Sequence, residues 1–256
     1  MSILGVLIIL HSISYADEYY VDSSEENPSS YCTEQNPCNE IQRAINLATS
    51  NGQTTLDIIR VSPGTYEENL TIEADMTIRA LTNEGQESTF INAAVDYKSV
   101  ILIRPKTNNP HKPVVTIDGF TIQNGFGTEI IEHIDTNNDN IPDESNIIRV
   151  GGGIFAYVCS PTITNCIFKD NGSDGRGRSL ATGKGGGCMA SGDKEDMDFP
   201  AGSASRENYN DHEDLENAVG PLNLLDNVFI NNTAVSGSSV MVQGSGFKEG
   251  QPVHLT

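Results

Sequence analysis

The spacing of apolar residues along the chain changes period once. In NEIQRAINLATSNG (residues 39–52), Ile41, Ala44, Ile45 and Ala48 recur at helical spacing. Asn39 is placed to cap the start and Asn51-Gly52 to end it, so the pattern predicts a helix over residues 39–50. From Thr55 onward the apolar residues alternate in short bursts punctuated by turns: LDIIRVSPGTY with its Pro63-Gly64 turn, NLTIEADMTIRAL, and SVILIRP. Such alternation predicts short strands with one face inward.

Three later segments align with one another: VTIDGFTIQNG (115–125), PTITNCIFKDN (161–171) and LNLLDNVFINN (222–232). Three columns keep their spacing: Ile117, Ile163, Leu224; Phe120, Cys166, Asn227; and Ile122, Phe168, Phe229. Asn227 is the least comfortable inward member, and stacked Asn side chains are expected to satisfy one another. Alternation breaks once per copy, at Asp118-Gly119, Thr164-Asn165 and Leu225-Asp226, where one extra residue bends the chain and keeps the same face inward. The copies end on Gly125, Asn171 and Asn232, residue types that most easily adopt left-handed backbone angles.

The glycine triplet of GGGIF (151–155) returns in GGGCM (185–189) and, weakened, in GSSVM (237–241). No helix follows it and no lysine closes it, so a phosphate cradle is excluded and a tight turn between stacked coils is expected. A repeat of roughly 20–25 residues with no helix in it fits short parallel strands stacked coil upon coil.

GGGI paired with FxxN (FKDN 168–171, FINN 229–232) resembles the polymorphic outer-membrane protein repeat of secreted and surface-anchored bacterial proteins. YYVD, EIQRAINLA and IRVSPGTYEENLTI resemble the opening of many pectin-lyase-like proteins, in which a helix caps the first coil. The likeness spans 19–125, 151–192 and 220–241. It implies an all-β, right-handed parallel β-helix with an N-terminal capping helix and long polar insertions. It leaves function open, because that fold carries lyases, hydrolases, adhesins and spacers alike. The expected organisation is a signal peptide at 1–16, a cap at 17–52 and a β-helix over 53–256 with insertions at 126–150 and 193–219, both in one class of turn. GSGFKEGQPVHLT reads as mid-coil, so the helix is expected to continue beyond residue 256.

Composition narrows the partners. Thirty-five acids against fifteen bases give a net charge of −20, which repels phosphate backbones and argues against nucleic acid. MSILGVLIILHSISYADEYYV reads as a secretory signal, with an apolar run over Ile3 to Leu10 and small residues at Ser14-Tyr15-Ala16, although its first residues carry no Lys or Arg. No other segment is apolar enough to span a membrane, so the exported chain is expected to be soluble, a monomer or part of a longer chain. Five cysteines fit an oxidising compartment. Cys32 and Cys38, in YCTEQNPC, form the expected disulfide; Cys166 and Cys188 read as small hydrophobes, and Cys159 receives no assignment.

Candidate chemistry gathers in the insertions. DTNNDNIPDESN places Asp135, Asn137, Asp139, the carbonyl of Ile141 and Asp143 at the alternating positions of a calcium loop. It resembles the acidic calcium repeats of thrombospondin type 3 and dockerin modules. Asn140 stands where a glycine is expected and Asn146 where a bidentate acid is expected, so Ca2+ would bind weakly. The stretch 193–219 reads as a solvated acidic excursion, and its Asp211-His212-Glu213-Asp214 run receives no role.

β-helix lyases and hydrolases need paired carboxylates, or calcium with a basic residue. The signatures Trp-Ile-Asp-His, Arg-x-Pro-x-x-Arg, Gly-His-Gly and Arg-Ile-Lys are absent. Arg104-Pro105-Lys106 and Lys169-Asp170 read as surface charges. Walker, nucleophile-elbow and zincin motifs are absent too. Asn69-Leu70-Thr71, Asn171-Gly172-Ser173 and Asn231-Asn232-Thr233 are glycosylation triplets, to which a bacterial-looking chain assigns no use. The expectation is a secreted or surface-displayed β-helix without catalysis, active in adhesion, in binding a polysaccharide or host glycan, or as a spacer. The alternative is a lyase or glycoside hydrolase acting on acidic polysaccharide.

Overall fold

The computed structural model describes residues 16–26, 28–50, 56–81, 86–95, 98–106, 111–134, 144–157, 159, 161–172, 188–191, 197–198, 223–233, 240–243 and 254–255. Strands are numbered in chain order. The first sheet runs β1 (Glu18–Val21), β2 (Asp57–Val61), β5 (Met76–Ala80), β8 (Val115–Asp118), β13 (Thr162–Thr164), β17 (Asn223–Leu225) and β20 (His254–Leu255). The second runs β3 (Gly64–Glu67), β6 (Thr89–Asn92), β9 (Thr121–Gln123), β14 (Ile167–Lys169) and β18 (Val228–Ile230). The third runs β4 (Leu70–Ile72), β7 (Ile101–Ile103), β12 (Ile154–Tyr157), β15 (Cys188–Ser191) and β19 (Val240–Gln243). Pairing within all three is parallel, and the chain visits first, second and third sheet in turn. This is a right-handed parallel β-helix.

The columns read from the sequence are the register of these sheets. Ile117 pairs with Ile163 and Ile163 with Leu224; Ile122 pairs with Phe168 and Phe168 with Phe229; Ile154 pairs with Cys188 and Cys188 with Val240. The inward rung Tyr19, Ile59, Ile78, Ile117, Ile163, Leu224 is buried throughout. The Phe168 and Phe229 rings stack with centroids 4.9 Å apart and planes 7° from parallel. Cys166 belongs to this interior; burial pushes its thiol up to about 12, so it packs as a hydrophobe.

The corners differ from expectation in how they turn. Gly119, Asn165 and Asp226 take positive φ at the first bend, as the broken alternation implies. At the second bend the left-handed residues are Asn124 (φ 63), Asp170 (φ 51) and Asn231 (φ 52), each one place before the Gly125, Asn171 and Asn232 expected. Asn171 and Asn232 contribute side chains instead. The Asn171 amide donates to Ile122 O (2.8 Å) and accepts from Gly125 N (3.0 Å); the Asn232 amide donates to Phe168 O (2.9 Å) and accepts from Asn171 N (3.0 Å). Asn227 is satisfied by backbone rather than by other Asn side chains, through Ile163 O (2.8 Å) and Cys166 N (2.9 Å). The glycine triplet serves a close approach: a Cβ on Gly125 would overlap the carbonyl of Gly152, and Gly151 itself has φ +59.

The helix, α1, spans Ile41–Ser50 and buries Ile41, Ala44, Ile45 and Ala48 against β1, β2 and β4. Its start lies beyond Asn39, and the cap comes from elsewhere. The Glu68 carboxylate accepts from Ile41 N (2.7 Å) and Gln42 N (2.8 Å). Burial holds that carboxyl above the ordinary range, and the two amide bonds oppose the shift.

The two insertions leave from different corners. The first lies between the second and third sheets and contains an antiparallel hairpin, β10 (Thr128–Ile134) with β11 (Glu144–Val150). The second lies between the third and first sheets; its β16 (Met197–Asp198) pairs antiparallel with β10. The first insertion thus carries two seven-residue strands where a polar loop was expected, and two residues of the second pair with it. No helix among the described residues is long and apolar enough to cross a membrane.

Candidate functional site

Alternation that sends one set of side chains into the coil sends the other onto a flat outer face. On the first sheet two outward rows run across the coils. One row is Tyr20, Arg60, Arg79, Asp118, Thr164, Leu225; the other is Glu18, Ile58, Thr77, Thr116, Thr162, Asn223. Two arginines thus stand side by side on the second and third strands of this seven-stranded face, in a chain of net charge −20.

Each arginine is drawn toward a different carboxylate. Arg60 donates to Glu18 through Nε (2.9 Å) and Nη2 (2.7 Å), and the Tyr20 hydroxyl donates to the same carboxylate (2.7 Å). These bonds, Arg60 first, hold Glu18 down at about 2, and the Glu18 carboxylate raises the Tyr20 hydroxyl above its ordinary value. Arg79 turns the other way, donating from Nε to Asp118 Oδ2 (2.8 Å), while Asp118 Oδ1 accepts from Thr164 Oγ1 and Asn165 Nδ2 (both 2.9 Å). The Arg79 side chain remains half exposed. The face therefore offers an aromatic edge, guanidinium donors and a row of hydroxyls, with both carboxylates fixed as acceptors.

The Cys32–Cys38 disulfide closes a loop beside this face. Tyr20 N donates to Cys32 O (2.7 Å), Asp22 N to Cys38 O (2.8 Å) and Cys38 N to Tyr20 O (3.1 Å), which covers the outer edge of β1. Asp135, Asn137, Asp139, Ile141 and Asp143 lie outside the described residues, in the connection between β10 and β11. Among the described residues no group of three or more His, Cys, Asp or Glu side chains could hold a metal ion. Lys169 and Asp170 form the expected exposed pair, with Nζ 4.0 Å from the carboxylate, whereas Arg104, expected as a surface charge, is mostly buried and its Nε meets Glu73 (2.9 Å). Cys159 is buried and its Sγ approaches Ile103 O (3.4 Å).

Sequence reasoning missed the arginine face. Arg60 and Arg79 sit in IIRV and TIRA, one place after an inward Ile in each, so the strand alignment that found the inward columns would also have found this outward one.

No family model and no curated protein matches the chain. Solved structures do align with it, among them two pectin methylesterases. One is a pectin methylesterase mutant in complex with a hexasaccharide, at 14% identity and TM-score 0.37, over 70% of this chain and 56% of that one. The other is a pectin methylesterase in complex with a different hexasaccharide, at 12% identity and TM-score 0.38, over 90% of this chain and 71% of that one. The chain spans just over half the length of the first.

Proposed function

We propose that the protein is an exported or surface-displayed β-helix without catalysis, which holds an extended glycan along the outer face of its first sheet and so serves adhesion, glycan binding or spacing. The observation that carries this reading is the bonding of the two carboxylates on that face. Glu18 accepts three hydrogen bonds and Asp118 three, all from fixed donors. A general acid must exchange a proton near the working pH, and a carboxyl held at about 2 does not. The same bonding suits a rigid platform whose polar groups are preorganised for a ligand. The Cys32–Cys38 disulfide supports an oxidising compartment. Calcium binding by residues 135–143 remains part of the proposal on the spacing of its ligands; titration with Ca2+ should show a site that Asp135→Ala removes.

Binding of the full chain to immobilised neutral and acidic polysaccharides tests the reading. Tyr20→Ala and Arg79→Ala should each weaken binding about tenfold, about 1.4 kcal/mol. Retained affinity in both variants would remove the face from the function. Absorbance from unsaturated product on uronate polymers with calcium would overturn the non-catalytic reading in favour of a polysaccharide lyase.

A further inference from the structure

The three glycosylation triplets all follow strands of the second sheet, at the corner leading to the third, yet their asparagines stand in different surroundings. Asn69 is half-buried and its amide is spent, donating to Ser99 O (2.9 Å) and accepting from Val95 N (2.9 Å). Asn171 is 1% exposed and its amide holds Ile122 O and Gly125 N. A sugar on either nitrogen would crowd a corner that these bonds hold together, and at Asn171 it would have to enter the coil. Asn231 differs in each respect. It is exposed, and no group among the described residues bonds its amide. Its left-handed backbone (φ 52) is the one shared by Asp170 one coil earlier and Asn124 two coils earlier, both exposed, so this position projects outward from the coil. Its neighbour Asn232 carries the structural bonds, to Phe168 O and Asn171 N, and Thr233 completes the triplet at an exposed position.

We propose that Asn231 is an acceptor site for an N-linked glycan, and that the fold reserves it while closing Asn69 and Asn171. The donor is a lipid-pyrophosphate-linked oligosaccharide, presented by an oligosaccharyltransferase in the compartment where the disulfide forms. A bond forms between Asn231 Nδ2 and the anomeric carbon of the first sugar. The bond from that carbon to the phosphate oxygen breaks, the lipid pyrophosphate leaves with the electron pair, and one amide proton passes to the transferase. The glycan would stand at the corner after the second sheet, off the face assigned to ligand binding, so the two proposals fail independently.

The test is expression of the full chain through the secretory pathway of insect cells, followed by peptide mapping with enzymatic glycan release, which converts an occupied Asn to Asp. One glycan per chain is expected, on Asn231, with Asn69 and Asn171 unmodified in folded protein. Asn231→Gln should abolish the gel shift while leaving the yield of folded chain unchanged; Thr233→Ala should abolish the shift as well. Full-length chain with Asn231 unmodified, whether secreted or retained, overturns the proposal. So does folded chain carrying sugar on Asn69 or Asn171.

Discussion

The amino-terminal end and the coils from Val115 onward meet the same requirement by opposite means. Both must pair backbone groups that stacked parallel strands leave open at edges and corners. Apart from the Asn69 amide, which bridges Ser99 O and Val95 N, the amino-terminal end uses devices that occur once. The disulfide loop covers the edge of β1, Glu68 caps α1, and the Gln42 side-chain amide pairs with Thr71, accepting its N–H (2.7 Å) and donating to its carbonyl (3.2 Å) as a neighbouring strand would. The later coils use one device repeatedly, an asparagine amide that holds a carbonyl and an N–H of the preceding coil. Unique devices fit an end, which has no next coil to share its solution; a repeated device propagates.

The largest effect that would sharpen this contrast lies in the repeated device. Asn171→Leu keeps the volume but leaves the buried Ile122 carbonyl and Gly125 N–H without partners. At about 1–3 kcal/mol for each orphaned group, the loss should be about 4 kcal/mol in a denaturant titration. Asn232→Leu, at a half-buried site, should cost about 2 kcal/mol, because water can replace part of what is lost. Equal losses would mean that burial does not set the value of the rung. At the amino-terminal end, replacing Cys32 and Cys38 together by serine should cost about 2 kcal/mol through the short loop alone. Hydrogen exchange at the Tyr20 and Asp22 amides should rise while Ile117 and Ile163 stay protected. A uniform rise across all four would show that the ends and the coils melt as one unit.

That division also decided what was legible. The stacked columns, the glycine close approach and the helix face were readable because each repeats or follows a period: Ile117, Ile163 and Leu224 share a column because they share a rung. The bend at Asp118-Gly119 was readable from broken alternation, but the left-handed residue of the next corner was misplaced by one. A corner of two polar residues does not say which one turns and which one bonds. Glu68 as the cap of α1 was invisible, since its partners lie 26 and 27 residues away and no local pattern links them. The outer face was overlooked for a different reason: the aligned segments begin at Val115, so IIRV and TIRA, which put Arg60 beside Arg79, were never set in register.

A smaller effect separates the ends from the coils by chemistry. Glu68→Gln keeps one acceptor for the α1 amides and loses the charge, and should cost about 1 kcal/mol at neutral pH. Burial raises Glu68 in the folded state above its unfolded value of 4.5, so this group by itself makes folding less favourable as pH climbs through that window. The pH slope of stability should therefore change in the variant, and an unchanged slope would show that the carboxyl is not desolvated as its surroundings imply.

The smallest effect carries the opposite sign. Glu18 is held at about 2 in the folded chain against 4.5 unfolded, so the stability it adds is present above 4.5 and is lost as pH falls from 4.5 through 2. The pair is partly exposed, and solvent screens it, so its worth should be no more than about 0.5 kcal/mol. Denaturation of the native chain and Glu18→Gln at pH 7 and at pH 2 should show a small native advantage at pH 7 that vanishes in acid and shrinks in high salt. An advantage that survives pH 2 would mean that packing of the Glu18 and Arg60 stems, rather than charge, holds the first rung. The asparagine rungs carry no titrating group, so Asn171→Leu and Asn232→Leu should cost the same at both pH values. A coil whose asparagine rungs carry no titrating group, joined to an end whose two carboxylates pull stability in opposite directions, is expected to confine the pH response of these devices to that end.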